Sequence, residues 1–240
     1  MNFNLMYEKL LKEYSYQGWW PIISYEGSNP TKTGSIKGYH PSDYSFPRDS
    51  YEQFEIIIGS ILTQNTSWPS VEKSLINLSN LDLFDDFDGF SPEFVLNLAN
   101  DSEDDFKEAI RPAGYFNQKF NYLQNISKFY IELNGKTPSR ADLLSVKGVG
   151  NETADSIRLY AYGECEIIVD AYFKRILVYL GIVNEKDNYN KIKNIVESDF
   201  TGDFKDYQEF HALIVEHGKR YYTKRPYGLN DKVLNEFKII

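Results

Sequence analysis

The fold of this chain is decided by the stretch Leu143-Leu144-Ser145-Val146-Lys147-Gly148-Val149-Gly150-Asn151-Glu152-Thr153-Ala154. Glycine adopts backbone angles that other residues resist, so Gly148 and Gly150 predict a tight turn. Apolar residues keep helical spacing before the turn, at 143–146, and after it, at 154, 157 and 161. The stretch therefore predicts two helices joined by a hairpin.

The backbone amides of this hairpin form a candidate anion site. If a helix begins at Asn151, the N–H groups of Gly148, Gly150 and Asn151 lie free at its N-terminus, and such groups bind phosphate. Lys147 brings a positive charge to the same turn. Phosphate contacts position a protein on a nucleic-acid duplex without reading its sequence. The alternative is an ordinary turn between two core helices, because glycines are common in turns.

Asp170 is the candidate catalytic residue. It follows the apolar run Ile167-Ile168-Val169 and precedes the helical pattern of residues 171–180. An aspartate at this place is a good helix N-cap, and capping alone would account for it. Beside a phosphate-binding hairpin, a carboxylate held nearby also suggests chemistry on nucleic acid.

Several segments of the chain resemble the endonuclease III superfamily of DNA glycosylases. They are the hairpin, Val169-Asp170-Ala171-Tyr172-Phe173-Lys174-Arg175, Leu62-Thr63-Gln64-Asn65-Thr66-Ser67-Trp68, and Arg111-Pro112-Ala113-Gly114-Tyr115-Phe116-Asn117-Gln118-Lys119. The segment that ends at Trp68 is similar to the 3-methyladenine DNA glycosylase III branch, and so is Gln17-Gly18-Trp19-Trp20-Pro21. The resemblance covers most of the chain outside residues 26–48.

The resemblance implies an all-α fold of two helical lobes with a DNA-binding cleft between them. One lobe, residues 50–160, is a six-helix barrel that contains the helix–hairpin–helix. The other lobe combines residues 1–49 and 161–240 and contributes the catalytic Asp and part of the base pocket. Helical periodicity independently predicts helices near 3–15, 50–63, 68–79, 92–99, 103–111, 117–133, 139–146, 151–162, 171–180, 188–198 and 206–221.

The resemblance also implies roles for individual residues. Asp170 faces an extruded nucleotide, Gln64 fills the gap that this nucleotide leaves in the duplex, and Tyr115 is a wedge on the opposite strand. By the same resemblance, the base pocket comprises Trp19, Trp20, Pro21, Trp68 and Lys219. The phosphate-binding residues are Lys147, Gly148, Gly150 and Asn151, with Lys224 and Arg225 as secondary contacts. A monovalent cation is held by the backbone carbonyls of Leu144, Val146 and Val149.

Glu152 distinguishes this chain from part of the superfamily. By the resemblance, bifunctional members carry a lysine nucleophile two residues after the Gly-x-Gly, where this chain has Glu152. A glutamate cannot form a Schiff base with the sugar. The chain is therefore expected to be monofunctional, removing a base and leaving the abasic strand uncut. Excision of oxidised guanine with strand cleavage is rejected for the same reason.

The three tryptophans at the pocket positions favour an alkylated purine, above all 3-methyladenine, as the substrate. This base is cationic, and an aromatic face attracts a cation by about 0.5–2 kcal/mol per contact. Large aromatic residues more often simply fill a protein core. Two other functions stay open: a mismatch glycosylase that acts on uracil or thymine, and a helix–hairpin–helix protein that binds DNA without catalysis.

The composition sets limits on cofactors and compartment. The single cysteine, Cys165, argues against a disulfide scaffold and cannot supply the four thiolates of the iron–sulfur cluster found in many superfamily members. No cofactor is therefore expected to be required. The sequence has no apolar run long enough to span a membrane and no signal pattern at its N-terminus, so a cytoplasmic monomer is expected.

The formal net charge of −9 taken alone disfavours binding to nucleic acid. The acidic residues, however, concentrate at 82–88 and 101–108. A local basic face can bind DNA even when the total charge is negative. Double-stranded DNA that carries damaged bases is the expected partner, bound by a face that includes Lys147, Lys174, Arg175, Lys219, Arg220, Lys224 and Arg225.

Overall fold

The structure is a computed structural model that describes residues 2–31, 35–81 and 87–239, and within these residues the regular secondary structure consists of helices apart from one isolated bridge. The predicted all-α class is confirmed. The α-helices of the described residues are α1 (Phe3–Tyr14), α2 (Ser50–Leu62), α3 (Trp68–Ser79), α4 (Pro92–Asp101), α5 (Glu103–Ala109), α6 (Phe116–Leu133), α7 (Arg140–Ser145), α8 (Asn151–Ser156), α9 (Ala171–Tyr179), α10 (Tyr189–Glu197) and α11 (Phe204–Tyr221). Short 3₁₀ helices lie at Arg111–Ala113 and Asn235–Phe237, and a π-helical turn, Ile157–Ala161, extends α8.

The helices begin where a side chain can accept hydrogen bonds from their first N–H groups. Asp49 accepts the N–H of Glu52 at the start of α2. Ser139 and Asp142 form a reciprocal capping box at the start of α7. Such caps stabilise a helix by about 1 kcal/mol each. Together with the apolar periodicity, they explain why each predicted helix forms within about two residues of its expected bounds.

The buried apolar side chains form two cores. The first core draws on α2 to α8, and the second joins α1 to α9, α10, α11 and the C-terminal segment. Helix α1 belongs to the second core because Phe3, Met6 and Leu10 recur on one helical face and are fully buried there. The division into lobes at residues 49 and 160 stays a prediction.

An extended segment at residues 163–170 runs between the two cores. Its side chains alternate: Ile167 and Val169 enter the second core, whereas Ile168 enters the first. Alternation of this kind is the side-chain pattern of an extended chain, so Ile167-Ile168-Val169 resembles a strand in sequence although it pairs with no strand among the described residues. The segment delivers Asp170 to the boundary between the cores.

The described part of residues 26–48 lacks helices but is not a loose surface loop. Tyr39 and Phe46 are buried in the first core, together with Trp20 and Ile22 just before the segment. An isolated antiparallel bridge joins Ser28 to Lys37. Residues 32–34, and most of the acidic stretch at 82–88, lie outside the described residues. None of the helices in the described ranges is long and apolar enough to cross a membrane.

Candidate active site

The hairpin between α7 and α8 is built around Gly148. Its φ of +106° lies in the region that side chains avoid, and a Cβ there would lie 2.3 Å from Cγ of Tyr122. Gly150 differs from the sequence-based expectation, because its φ of −96° is open to any residue and a Cβ would meet nothing within 4 Å. Only Gly148 is therefore needed for the turn, whereas Gly150 leaves one face of the hairpin open.

The open face of the hairpin presents unpaired donors. Within the described ranges, no acceptor is found for the backbone N–H groups of Gly148, Gly150 and Asn151. The side chain of Lys147 is exposed beside them. The Asn151 side chain accepts a hydrogen bond from Arg140, at 2.8 Å, which ties α8 to α7 and leaves its backbone N–H outward. These donors and this charge form a surface that suits a phosphate.

The hairpin carbonyls assigned to a cation differ in their environment. The carbonyl of Val146 accepts the N–H of Val149 at 3.0 Å, closing the turn with one of its two lone pairs. Leu144 is exposed, whereas Val146 and Val149 are buried. The monovalent cation stays a prediction. In the part of the chain that the structure describes, no group of three or more His, Cys, Asp or Glu side chains is placed to hold a metal ion.

Asp170 caps α9 and is almost completely buried, with 9% of its surface exposed. Its Oδ1 accepts the N–H of Phe173 at 2.7 Å. Burial raises the pKa of Asp170 to about 6, against the opposing effects of the Phe173 and Tyr172 N–H groups and the positive charges of Arg175 and Lys219. The carboxylate is therefore both a structural cap and a group whose proton equilibrium falls close to neutral pH.

Lys219 lies near this carboxylate because α11 packs closely on α9. A Cβ at Gly218 would lie 2.4 Å from Cβ of Tyr172, so the contact requires a glycine. Lys219 follows directly, and its Nζ lies 5.7 Å from the centre of the Trp19 ring. Burial lowers the pKa of Lys219, and the charges of Glu216 and Asp170 oppose that effect. Lys219 thus contacts the Trp19 ring and lies near enough to Asp170 for its charge to favour the ionised carboxylate.

The three tryptophans meet in one aromatic cluster. The ring centres of Trp19 and Trp68 are 5.8 Å apart, those of Trp20 and Trp68 5.3 Å, and those of Trp19 and Trp20 5.7 Å. Trp20 and Trp68 are buried, whereas Trp19 is half-buried and is the tryptophan with an accessible ring surface. Among the described residues, the buried indole N–H groups of Trp20 and Trp68 have no acceptor. Pro21 is also buried.

Two residues of this cluster were not predicted from the sequence. The Tyr160 ring lies 5.4 Å from that of Trp20, and its hydroxyl lies 2.8 Å from Nδ1 of His211. Burial lowers the pKa of His211 to about 3, so the imidazole is neutral. Neither residue stands in a recognisable motif, and a lone tyrosine or histidine on a helix gives no signal of its partners.

Glu209 is a third residue that the sequence did not reveal. Its carboxylate accepts the N–H of Gln17 at 2.6 Å and the hydroxyl of Tyr44 at 3.1 Å. Burial raises the pKa of Glu209 to about 7. Since Gln17 lies two residues before Trp19, these bonds hold the segment that carries the tryptophans against α11.

Glu152 lies near Asp170 at the start of α8. Its side chain is exposed at the surface. Nearby protein atoms nevertheless desolvate the carboxyl group and, together with the charge of Asp170, raise its pKa to about 7. A second carboxyl group thus lies close enough to Asp170 for the charge of Asp170 to raise its pKa.

Gln64 lies against the hairpin rather than projecting from the surface. Its Nε2 donates to the carbonyl of Gly148 at 2.8 Å and to Oγ1 of Thr153 at 3.1 Å. Tyr115 is different: it is 66% exposed and has a positive φ of 47°. Of the two residues expected to enter the duplex, Gln64 is therefore held against the hairpin and Tyr115 is exposed.

The basic residues divide between two places. Lys174, Arg175 and Arg225 line a groove beside the N-terminal turn of α9, and Lys224 is exposed next to it. Lys147 lies on the hairpin. Positive charge therefore lies both on the hairpin and along one face of α9, the helix that Asp170 caps.

The segment after α11 is held without a cluster of cysteines. Cys165 is exposed in the extended segment before Asp170, and one thiol does not fit a four-thiolate cluster. His217 Nε2 and the Tyr222 hydroxyl instead reach Oδ2 of Asp231, at 2.8 and 2.7 Å, and Tyr14 contacts the other ring nitrogen of His217 at 2.8 Å. These fully buried contacts fasten the C-terminal segment to α11 and α1.

Sequence comparison identifies the class of protein. The signature of the HhH-GPD superfamily of base excision DNA repair proteins matches residues 58–200. A protein of Methanocaldococcus jannaschii assigned as a DNA repair glycosylase is 38% identical over 231 residues, which cover 92% of this chain and 88% of that protein. The chain therefore belongs to the HhH-GPD superfamily of base excision DNA repair proteins. The family resemblance expected from the sequence is confirmed. The expected class of enzyme, a DNA glycosylase of base excision repair, is confirmed with it.

Solved structures agree with this assignment. The H. pylori 3-methyladenine DNA glycosylase MagIII, bound to 1,N6-ethenoadenine, matches with a TM-score of 0.61 and 28% identity over 74% of this chain and 88% of that chain. A non-covalent complex of endonuclease III with DNA matches with a TM-score of 0.62 and 20% identity over 76% of this chain and 81% of that chain. The second match shows the shared fold.

Proposed function

We propose that the protein is a monofunctional DNA glycosylase that removes alkylated purines, above all 3-methyladenine, by hydrolysis and leaves an abasic site. The observation that carries the proposal is the position of Trp19: its half-buried ring lies 5.7 Å from Nζ of Lys219, and the charge of Lys219 in turn acts on the buried carboxylate of Asp170. A base stacked on this ring would place its sugar toward the carboxylate. The 28% identity to a 3-methyladenine DNA glycosylase supports the same substrate.

Asp170 supplies the electrostatic part of the reaction. With a pKa of about 6, about nine-tenths of the carboxyl groups are ionised at pH 7. Bond cleavage leaves positive charge on the sugar, and a carboxylate held in a water-poor site stabilises that charge as it develops. The same oxygen can orient a water molecule and take its proton. The bond to Phe173 fixes Oδ1, so Oδ2 is the oxygen that turns toward substrate.

Trp19 and Trp68 account for the choice of base. The Trp19 ring lies 5.7 Å from the ammonium nitrogen of Lys219, which is the kind of cation–π contact that a cationic base would make once Lys219 has withdrawn from the ring. A cationic alkylpurine gains the same attraction, and its glycosidic bond needs little acid assistance. The buried indole N–H of Trp68 has no acceptor in the described ranges, and a purine ring nitrogen would provide one. A damaged base also costs less to extrude than a normal pair.

The DNA itself would lie in a cleft between the two lobes proposed for residues 50–160 and for 1–49 with 161–240. The free N–H groups of the hairpin and Lys147 hold a phosphate on one side of Asp170. Lys174, Arg175 and Arg225 hold the strand on the other side. Gln64 and Tyr115 enter the duplex once the nucleotide has left it, and Gln64 must first release Gly148.

Glu152 supports hydrolysis without strand cleavage. A lyase needs an amine that forms a Schiff base with the sugar, and the carboxyl group of Glu152 cannot do so. Lys219 is the amine beside Asp170, but its contact with Trp19 places it on the base side of the pocket. The abasic product is therefore expected to leave with an intact strand.

The substrate is tested with end-labelled duplex DNA in three forms: treated with dimethyl sulfate, carrying a U·G or T·G mismatch, and undamaged. Released bases are separated by chromatography, and the strands are run on a denaturing gel with and without alkali. We expect 3-methyladenine to be released from the methylated duplex, with breaks only after alkali.

Release of uracil or thymine without 3-methyladenine would replace the proposed substrate by a mismatch. Breaks without alkali, together with a protein–DNA adduct trapped by borohydride, would overturn the monofunctional mechanism. Tight binding to every duplex without release of any base would mean that the protein binds DNA but does not catalyse base removal.

A further inference from the structure

Lys119 of α6 is buried without a carboxylate partner among the described residues. Its Nζ donates three hydrogen bonds, each of 2.8 Å, to the backbone carbonyls of Leu62, Gln64 and Ala113. Only 2% of its surface is exposed. An ammonium group has three N–H donors, so every one of them is used. Burial lowers the pKa of Lys119 to about 8, which leaves the group protonated at neutral pH.

The three carbonyls come from two separate parts of the backbone, the end of α2 with the loop that follows it and the end of the Arg111–Ala113 helix. Leu62 is the last residue of α2, where a positive charge is favourable, and Gln64 follows it. Ala113 lies two residues before Tyr115, whose backbone carbonyl also accepts the N–H of Lys119 at 3.0 Å. One side chain therefore fastens the loop that carries Gln64 to the turn that presents Tyr115.

The hairpin is joined to the same assembly through Gln64. The Gln64 backbone carbonyl is bound to Lys119, and its side-chain amide is bound to the carbonyl of Gly148. A continuous path of hydrogen bonds thus runs from Ala113 through Lys119 and Gln64 to Gly148. It connects the three elements to which contacts with DNA are assigned: the Tyr115 turn, the Gln64 loop and the hairpin.

An apolar side chain would fill the space of Lys119 without the cost of burying a charge. The lysine therefore contributes the three bonds rather than bulk. Both loops lack regular structure at these points: Asn65, next to Gln64, has a φ of +55°, and Tyr115 has one of +47°. The ends of α2 and of the Arg111–Ala113 helix fix the backbone on one side of each loop, and the ammonium group joins the two loops to each other.

We propose that Lys119 is a positioning residue that holds Gln64 and Tyr115 at a set separation, so that both enter the duplex together when the damaged nucleotide is extruded. The proposal rests on the proposed function, because it requires these two side chains to enter DNA. It predicts that loss of Lys119 impairs insertion into the duplex more than it impairs binding to phosphate.

The test uses a duplex with a tetrahydrofuran abasic-site analogue opposite 2-aminopurine, whose fluorescence rises when protein side chains unstack it. Variants are Lys119→Met, which keeps the length of the side chain without its donors, and Lys128→Met, which changes an exposed lysine on the same helix. We expect Lys119→Met to reduce the fluorescence change and the affinity for this duplex by about fivefold or more, and Lys128→Met to leave both unchanged. Urea unfolding confirms that each variant is folded at the assay temperature.

A double-mutant cycle separates positioning from general stability. In a protein that already carries Gln64→Ala and Tyr115→Ala, Lys119→Met should cost little further affinity, because the side chains through which it acts are gone. An equal loss in both backgrounds, or an unchanged fluorescence signal in folded Lys119→Met, would overturn the proposal.

If Lys119→Met does not fold, Lys119→Gln, which keeps two donors, takes its place in the same cycle. A wild-type protein that binds without any fluorescence change would overturn the insertion step itself, whereas base release by the wild type reports separately on the proposed function.

Discussion

Replacing Glu209 with glutamine tests how the tryptophan segment is held. Glu209 accepts hydrogen bonds from the Gln17 N–H and the Tyr44 hydroxyl while 2% of its surface is exposed. Glutamine matches the protonated acid, because its carbonyl can accept from Gln17 while its amide donates to the oxygen of Tyr44. The Glu209→Gln variant therefore resembles the low-pH form of the wild type at every pH.

The size of the effect follows from proton linkage. Burial raises the pKa of Glu209 from 4.5 to about 7, so the folded state holds a proton in this range that the unfolded state has lost. The stabilisation is present at low pH and disappears as the pH rises through 7. Between pH 5 and pH 9 the loss amounts to about 2.5 kcal/mol. The variant has no such proton, so it should be more stable than the wild type by about that amount at pH 9 and nearly equal to it at pH 5.

The assay is urea unfolding, followed by tryptophan fluorescence at pH 5, 6, 7, 8 and 9. Other buried carboxyl groups, such as Glu55, titrate in both proteins and cancel in the difference. Glu13→Gln, at an exposed position of α1, serves as the control. Parallel pH profiles for Glu209→Gln and wild type would refute the reasoning, because they would mean that Glu209 is solvated or already ionised in the folded protein.

Three further predictions concern the hairpin and the two carboxyl groups near it. Glu152→Lys should gain strand cleavage and a borohydride-trapped adduct, since an amine then lies beside Asp170; a variant that is folded and still gives no adduct would show that residue 152 does not face the sugar. Gly148→Ala should destabilise the protein by about 1–3 kcal/mol in urea unfolding, because residue 148 has a positive φ and a Cβ there would collide with Tyr122. Gly150→Ala, the control, should change the free energy of unfolding by less than about 0.5 kcal/mol. Equal effects of the two substitutions would contradict the described turn. The single-turnover rate should rise about tenfold between pH 5 and pH 7, because ionisation of Asp170 with a pKa of about 6 activates the site, and a flat profile would contradict that role.

The sequence predicted the helices well because their signals are local. Apolar periodicity and capping side chains such as Asp49 and Ser139 act within a few residues, so each helix could be placed to within about two residues. Asp170 was found by its position after the hairpin motif. The apolar run Ile167-Ile168-Val169 before it has no helical period, because its side chains alternate between the two cores.

The sequence could not show which side chains meet across the fold. Glu209 and His211 are polar residues on a helix, and nothing nearby in the sequence distinguishes them from solvent-exposed ones. Lys119 ends a segment that resembles the superfamily, but the segment does not show that its side chain is buried. Their roles depend on partners many positions away, such as Gln17 for Glu209 and Leu62 for Lys119. The same holds for Gln64, whose contact with Gly148 joins two motifs that the sequence could only describe one at a time.

The most direct measurement is the rate at which Asp170→Asn releases 3-methyladenine from methylated duplex DNA under single-turnover conditions. Asparagine also caps helices, so this change removes the charge while it preserves the start of α9; Asp104→Asn, at an exposed position, is the matched control. We predict a rate at least about 100-fold below that of the wild type, with affinity for the duplex retained and the control unaffected. A folded Asp170→Asn protein that releases the base at the wild-type rate would contradict the assignment of Asp170 as the catalytic carboxylate.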